Sequence, residues 1–177
     1  MISFSKTDDG TLVGAFTSVE ADIIADLAAQ IAGMLDELAG ARDDDPLFTS
    51  VGIGGSSTLH DDPAIARLLP DAYGGDPAAA SEFRQLTERS LAARKVANAR
   101  TVIETLARAE GALELTPAES QAWLRALSDI RLTIAARLGI EDDGDRGATE
   151  GDAALALHDL YDWLAYVTES LLDALDD

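Results

Sequence analysis

The segment TPAESQAWLRALSDIRLTIAARLG, residues 116–139, decides the fold class of this chain. Thr116 followed by Pro117 is a typical helix start, because a proline in the first turn loses no hydrogen bond, and Glu119 places a favourable charge there. Gly139 is a natural end. Between them, apolar side chains recur at helical spacing on one face: Trp123, Leu127, Ile130, Ile134 and Leu138. The segment therefore predicts a long helix with a core-facing stripe.

The same signals predict further helices on both sides of this segment. Thr17 and Glu20 form the pattern of a capping box, and the helix after them ends at Gly40. A short helix is predicted over 63–69. Asp76-Pro77 begins a helix that runs without Gly or Pro to about residue 109, and the last helix extends from about 152 to 175.

The first sixteen residues differ from the rest, because their apolar and polar side chains alternate. Asp8-Asp9-Gly10 supplies turn chemistry between two such runs, which predicts a β-hairpin over 1–16. The expected fold is therefore mainly α, a bundle of four longer helices plus a short one with a small N-terminal β-hairpin. The length of 177 residues suits a single domain over 1–177, with flexible loops at 40–62 and 141–151.

Charge and composition exclude several classes of function. The chain has 33 Asp and Glu against 13 Lys and Arg, a net charge of −20, which repels nucleic-acid backbones and anionic membranes. It has no cysteine, which excludes disulfides, thiolate metal sites and a cysteine nucleophile. No secretion signal or long apolar run is visible, so we expect a cytoplasmic protein without direct nucleic-acid or membrane binding.

The candidate motifs for catalysis, cofactor binding and metal binding in this sequence do not match the patterns that these functions require. The glycines at 52–55 lack the Lys-Ser/Thr of a phosphate-binding loop, and 141–152 lacks the acidic spacing of a calcium loop. His60 lies beside Asp61 and Asp62, and Asp162 follows His158 by one helical turn, a spacing that permits weak metal binding. Both histidines nevertheless have the pattern of surface residues and are expected to be solvated. The sequence therefore predicts no enzyme, no cofactor and no metal site.

Charged side chains do interrupt two apolar stripes. Lys95 falls among apolar residues of the 77–109 helix, Asn98 lies at its edge, and Arg131 interrupts the stripe of the following helix. Since Lys and Arg are rarely buried unpaired, each should meet a carboxylate. The candidate partners are Asp129, Asp159 and Asp162. Two interpretations stay open: an ion-pair network that sets helix register or a dimer interface, and a polar pocket for a small anion or an enzymatic site.

Charge is also segregated along the chain. Residues 77–109 carry six basic and three acidic side chains, net +3, whereas 141–177 carry one basic and twelve acidic, net −11. The two segments should attract each other within or between chains. We therefore expect a homodimer and a candidate docking helix, whose arginines are Arg84, Arg89, Arg94 and Arg100.

Six blocks between residues 62 and 164 carry a resemblance that covers most of the chain: 62–73 (DPAIARLLPDAY), 82–88 (EFRQLTE), 95–99 (KVANA), 123–132 (WLRALSDIRL), 137–140 (RLGI) and 160–164 (LYDWL). They resemble an uncharacterised actinobacterial family, mostly described as a domain of unknown function, that includes the oxidative-stress regulator AosR. The resemblance implies a helical cytoplasmic regulator acting by protein contact, with a sigma factor as one candidate partner and redox-sensitive cysteines as its switch. Because this chain has no cysteine, it cannot use a thiol switch, and we predict a non-enzymatic regulatory or adaptor protein without one.

Overall fold

The computed structural model describes residues 1–40, 60–70, 77–142 and 144–176. Its elements, in chain order, are β1 (Ile2–Lys6), β2 (Leu12–Ala15), α1 (Ser18–Gly40), α2 (Pro63–Leu68), α3 (Pro77–Arg108), β3 (Leu113–Leu115), α4 (Pro117–Leu138) and α5 (Asp152–Asp176). The predicted mainly α fold with an N-terminal hairpin is confirmed within these ranges. Three parts of these expectations lie outside the described residues: most of the 40–62 loop with its glycines at 52–55, the helix start at Asp76, and Asp143 within the 141–151 loop.

α4 is the central helix, and its ends are where the sequence predicts them. The backbone N–H of Thr116 donates to the Glu119 carboxylate at 2.9 Å, and the N–H of Glu119 donates back to the Thr116 hydroxyl at 3.3 Å. Gly139 ends the helix in the left-handed region at φ +74°, which favours glycine. Trp123 is fully buried, and its indole N–H donates to the Thr105 hydroxyl of α3 at 2.8 Å.

The N-terminal hairpin belongs to a three-stranded antiparallel sheet of order β1-β2-β3. β3 pairs with β2 in the register Leu12 to Leu115 and Gly14 to Leu113, an element that the sequence patterns do not predict. Three residues are too short for a reliable strand signal, and β3 forms only because the chain after α3 returns beside β2. The sheet is held on α5 by the N–H of Phe4, which donates to the Ser170 hydroxyl at 2.9 Å.

The helices pack in a chain of contacts that puts α4 between the two long charged helices. α1 packs along α3, α4 packs against both α3 and α5, α2 packs on α4, and α5 also covers β1. The rings of Phe4 and Phe16 meet Trp123 at centroid distances of 6.3 and 5.9 Å, which joins the sheet to the helical core. α3 and α5 are therefore both anchored on α4.

The segment between α4 and α5 is attached to the end of α4. The N–H of Ala148 donates to the Leu138 carbonyl at 2.7 Å, and Asp145 accepts from the N–H groups of Glu141 and Gly147 at 3.0 and 2.9 Å. Gly147 lies so close to this helix end that a Cβ there would be 2.2 Å from the Leu138 carbonyl oxygen. The predicted flexible loop at 141–151 thus includes several specific hydrogen bonds.

Candidate functional site

A cleft of about 650 Å³ opens between α3 and α4. Four of its lining residues on α3 follow the spacing i, i+3, i+4 and i+7, which places them on one helix face. The lining consists of Leu91, Arg94, Lys95, Ala97 and Asn98 from α3 and Leu124, Arg125, Ser128 and Asp129 from α4. We call this group the α3–α4 cleft. Its described lining contains three basic side chains and one acidic side chain.

The cleft contains a direct ion pair between Lys95 and Asp129. The Asp129 side chain is 6 % exposed and the Lys95 side chain 16 %. Burial raises the pKa of the Asp129 carboxyl above its usual range, and the hydrogen bond and charge of Lys95 oppose that shift only in part. Of the three carboxylates considered for Lys95, the structure thus brings Asp129 to it.

The other two basic side chains of the cleft are exposed. Within the described ranges, neither Arg94 nor Arg125 forms an ion pair, so their guanidinium groups keep their N–H donors available. Ser128 donates its hydroxyl to the Leu124 carbonyl at 2.8 Å and keeps its oxygen lone pairs for an acceptor role. Asn98 is half-buried at the edge of the cleft. The arrangement is chemically suited to hold an anion.

Arg131 does not join this group, contrary to the sequence-based expectation. Two residues along a helix correspond to a rotation of about 200°, so Arg131 and Asp129 face opposite sides of α4. Arg131 stacks over the Tyr161 ring of α5, with its guanidinium carbon 4.6 Å from the ring centroid. Its buried Nε has no hydrogen-bond partner in the described part of the chain. Arg131 thus packs at the α4–α5 contact.

The predicted docking helix is also corrected by the structure. Arg84 and Arg89 are only 8 % and 7 % exposed, so they do not lie on an open surface. Arg100 forms an ion pair with Asp36 of α1 at 2.8 Å. Only Arg94, of the four arginines in the prediction, is both exposed and without an ion pair inside the described ranges. A four-arginine surface on α3 does not form.

The two histidines are more constrained than their sequence surroundings indicate. His60 Nε2 lies 3.1 Å from Glu88 Oε1, and the side chains are 16 % and 2 % exposed. The expectation of a solvated His60 is therefore wrong. His158 lies 3.0 Å from the Ala148 carbonyl, which ties α5 to the preceding segment. Over the described residues, no group of three or more His, Asp or Glu side chains is placed to hold a metal ion.

A second charged surface lies on α5. Its apolar side, which includes Leu164, Val167 and Leu171, is buried. The opposite side is exposed and consists of Leu155, Asp159, Asp162, Tyr166, Glu169 and Asp173, which we call the acidic face of α5. None of its four carboxylates forms an ion pair in the described structure, and α5 contains no Lys or Arg.

Apolar side chains interrupt the acidic face. Leu155 and Tyr166 are 53 % and 50 % exposed, and the Tyr166 hydroxyl lies 2.8 Å from the Ser3 hydroxyl of β1. Asp159 and Asp162, considered above as partners of Lys95 or Arg131, point to solvent here instead. An exposed stripe of carboxylates with apolar side chains between them is chemically suited to a basic, amphipathic segment.

Sequence reasoning missed Arg125 and Ser128 in the cleft. The signal that would have found them is the spacing of 124, 125, 128 and 129 on α4, which places these residues on one side of the helix. The spacing alone does not show that these residues line a cleft, because that depends on α3 packing on this side of α4. For Arg94 the sequence predicts a different role, as part of a docking helix.

Comparison with known proteins places the chain among sequence relatives. A family model described as "Domain of unknown function (DUF2017)" matches residues 1–175. A protein named putative oxidative stress regulator AosR, from Mycobacterium leprae (strain TN), is 31% identical over 170 residues, which cover 88% of this chain and 78% of the relative. The oxidative stress regulators AosR of Mycobacterium tuberculosis (strain ATCC 25618 / H37Rv) and Mycobacterium bovis (strain ATCC BAA-935 / AF2122/97) are each 32% identical, covering 86% of this chain and 77% of the relative. No solved structure matches the chain.

None of the described helices combines the length and the apolar composition that crossing a bilayer requires.

Proposed function

The chain belongs to the DUF2017 family, and we propose that it is a non-enzymatic regulatory protein that acts by binding a basic segment of a partner protein. The regulatory part of this proposal is supported by the relatives that are named oxidative stress regulators. The resemblance of the six sequence blocks implies a partner in stress response or transcription, with a sigma factor as one candidate. It also implies a cytoplasmic location, which we adopt as part of the proposal.

The observation that carries the proposal is the acidic face of α5. Four carboxylates project from one exposed helix side without an opposing cation on α5, and residues 141–177 have a net charge of −11, from twelve acidic and one basic side chain. Such a surface attracts a basic partner over a distance of about 10 Å at moderate salt and speeds its association. Exposed Leu155 and Tyr166 add apolar contact area, which a purely solvating surface does not need.

The buried side of the same helix supports a docking role for the exposed side. α5 is held by its apolar contacts with α4 and by two hydrogen bonds from β1. The N–H of Phe4 donates to the Ser170 hydroxyl, and the Lys6 ammonium donates to the Leu175 carbonyl. A rigidly placed helix loses little conformational entropy when a partner binds. Because this sequence has no cysteine, the proposed regulation uses no thiol of the chain itself.

A capture experiment with matched variants tests this proposal. The tagged chain is used as bait in an actinobacterial lysate beside the variant Asp159→Asn/Asp162→Asn/Asp173→Asn. The control Asp22→Asn/Asp26→Asn/Glu37→Gln removes the same three charges from the exposed side of α1. We expect the wild type and the control to capture the same partner protein. The α5 variant should capture at least about tenfold less of it, and high salt should release it from the wild type.

Two results would count against the proposal. Retention of the same proteins by both variants would show that the acidic face of α5 is not the binding surface. Recovery of no protein at moderate salt by the wild type would contradict a regulator that acts through protein contacts. The homodimer stays a prediction, which the mass measured by light scattering checks.

A further inference from the structure

We propose that the α3–α4 cleft binds a small organic anion, with Arg94 and Arg125 as the groups that pair with its carboxylate or phosphate. The cleft lies on a different part of the molecule from the acidic face of α5, so this inference does not depend on the proposed function. Its volume of about 650 Å³ is of the size of small-molecule sites.

The first argument is the sign of the local charge. The chain has a net charge of −20, yet the described residues that line this cleft include Arg94, Lys95 and Arg125 against one carboxylate, that of Asp129. Because acidic residues outnumber basic residues by 33 to 13, an arginine on this surface has many chances to meet a carboxylate. Arg94 and Arg125 are both exposed, form no ion pair in the described structure and line the same cleft. The cleft is therefore a locally positive region that is suited to an anion.

The second argument is that the interior of the cleft is already neutral. Lys95 pairs with Asp129, whose carboxylate is buried, so these two side chains satisfy each other and do not need a ligand. The anion is consequently assigned to Arg94 and Arg125. Guanidinium groups present planar pairs of N–H donors that match the two oxygens of a carboxylate or phosphate.

The third argument concerns the rest of the ligand. Leu91 and Leu124 line the cleft beside the charged residues, and both are partly buried. Asn98 at the edge offers an amide, and the Ser128 oxygen can accept a further hydrogen bond. A bare inorganic ion would leave the leucine surfaces in water. The lining thus favours an anion that carries a compact apolar body.

Nuclear magnetic resonance titration of the ¹⁵N-labelled chain tests the inference with four probes. Phenyl phosphate and benzoate carry both an anionic group and an apolar body, inorganic phosphate carries only the charge, and benzyl alcohol carries only the ring. We expect saturable shifts of amide and arginine side-chain signals from the cleft with phenyl phosphate or benzoate. Both single-feature probes should bind at least about tenfold more weakly.

Matched arginine variants assign the binding. Arg94→Gln/Arg125→Gln should lower the affinity for the organic anion by at least about tenfold. The control Arg100→Gln/Arg146→Gln removes two positive charges outside the cleft and should leave the affinity unchanged. All four positions are exposed, and circular dichroism verifies that both variants fold. The inference is overturned if both double variants bind the organic anion equally well or if the shifts lie away from the cleft. It is also overturned if benzyl alcohol or inorganic phosphate binds as tightly as the organic anion, or if no probe causes a saturable shift.

Discussion

α3 and α5 are both long helices packed on α4, yet they use their charged residues in opposite ways. α3 buries Arg84, Glu88 and Arg89 while it exposes Phe83 and Leu86 at 41 % and 48 %. α5 buries apolar side chains and Ser170 and leaves all the carboxylates of its acidic face in water. Several charges of α3 are thus part of the packing, whereas those of the acidic face of α5 all contribute to the surface that other molecules meet.

The same difference appears in the partners that the charged groups have inside the chain. Lys95 contacts Asp129, Arg100 contacts Asp36, and Arg108 contacts Glu119, so α3 is connected by ion pairs to both α1 and α4. The acidic face of α5 has no such ion pairs in the described structure. Substitutions on the two helices should therefore have different consequences for stability, which the following predictions use.

The largest effect is expected at the buried end of the Lys95–Asp129 pair. Asp129→Ala should lower the free energy of unfolding by about 2–3 kcal/mol, because it leaves Lys95 mostly buried without a counter-charge. The loss stays below that of a fully enclosed pair because the Lys95 side chain is 16 % exposed to the cleft. Urea unfolding measures the change, and Asp162→Ala on α5 is the matched control.

The double variant Lys95→Met/Asp129→Ala sharpens this prediction. It removes both charges, so it should regain a good part of the stability that Asp129→Ala loses. If Asp129→Ala is as stable as the Asp162→Ala control, the Lys95–Asp129 pair has no structural role. The contrast between α3 and α5 would then be contradicted.

An intermediate effect is expected where α3 meets the start of α4. Arg108 lies 2.8 Å from Glu119 and lowers the pKa of that carboxyl to about 2, from an ordinary value of 4.5. Since the folded protein binds this proton more weakly than the unfolded chain, the contribution is present above pH 4.5 and is lost as the pH falls toward 2. Glu119→Gln should cost about 1 kcal/mol at neutral pH, allowing for the exposure of Arg108.

Urea unfolding over a series of pH values measures this contribution. The stability difference between wild type and Glu119→Gln should shrink through the acidic interval. Glu150→Gln, which removes one charge from the exposed segment before α5, is the control. A difference that stays constant between pH 4.5 and 2 would show that the Arg108–Glu119 pair does not stabilise the junction of α3 and α4.

The smallest effect on stability is expected on the acidic face of α5. Asp159→Asn/Asp162→Asn/Asp173→Asn should change the free energy of unfolding by no more than about 0.5 kcal/mol. We expect a slight gain in the free energy of unfolding at low salt, because neighbouring like charges on one helix face repel each other. High salt should remove this gain, because it screens the repulsion. Urea unfolding at low and at high salt measures the gain and its loss. A loss above about 1 kcal/mol would mean that these carboxylates have a structural role.

The parts of the fold that local chemistry specifies could be predicted from the sequence. Thr116 and Gly139 bracket α4, and Thr17 with Glu20 marks the start of α1, because a cap and a stop act within a single turn of chain. β3 could not be predicted, since its pairing depends on β2, which lies about a hundred residues earlier. The polar interruption at Lys95 was visible, but its geometry was not.

For the candidate sites, the sequence by itself determined the acidity of residues 141–177, the lack of cysteine and the presence of a polar group in the stripe of α3. Those features depend only on composition and helical periodicity. Only the tertiary structure decided that Asp129 meets Lys95, that Arg131 turns to Tyr161, and that Arg94 and Arg125 share a cleft. The physical reason is that periodicity tells which side of a helix a residue occupies, whereas the packing of one helix on another decides what that side contacts.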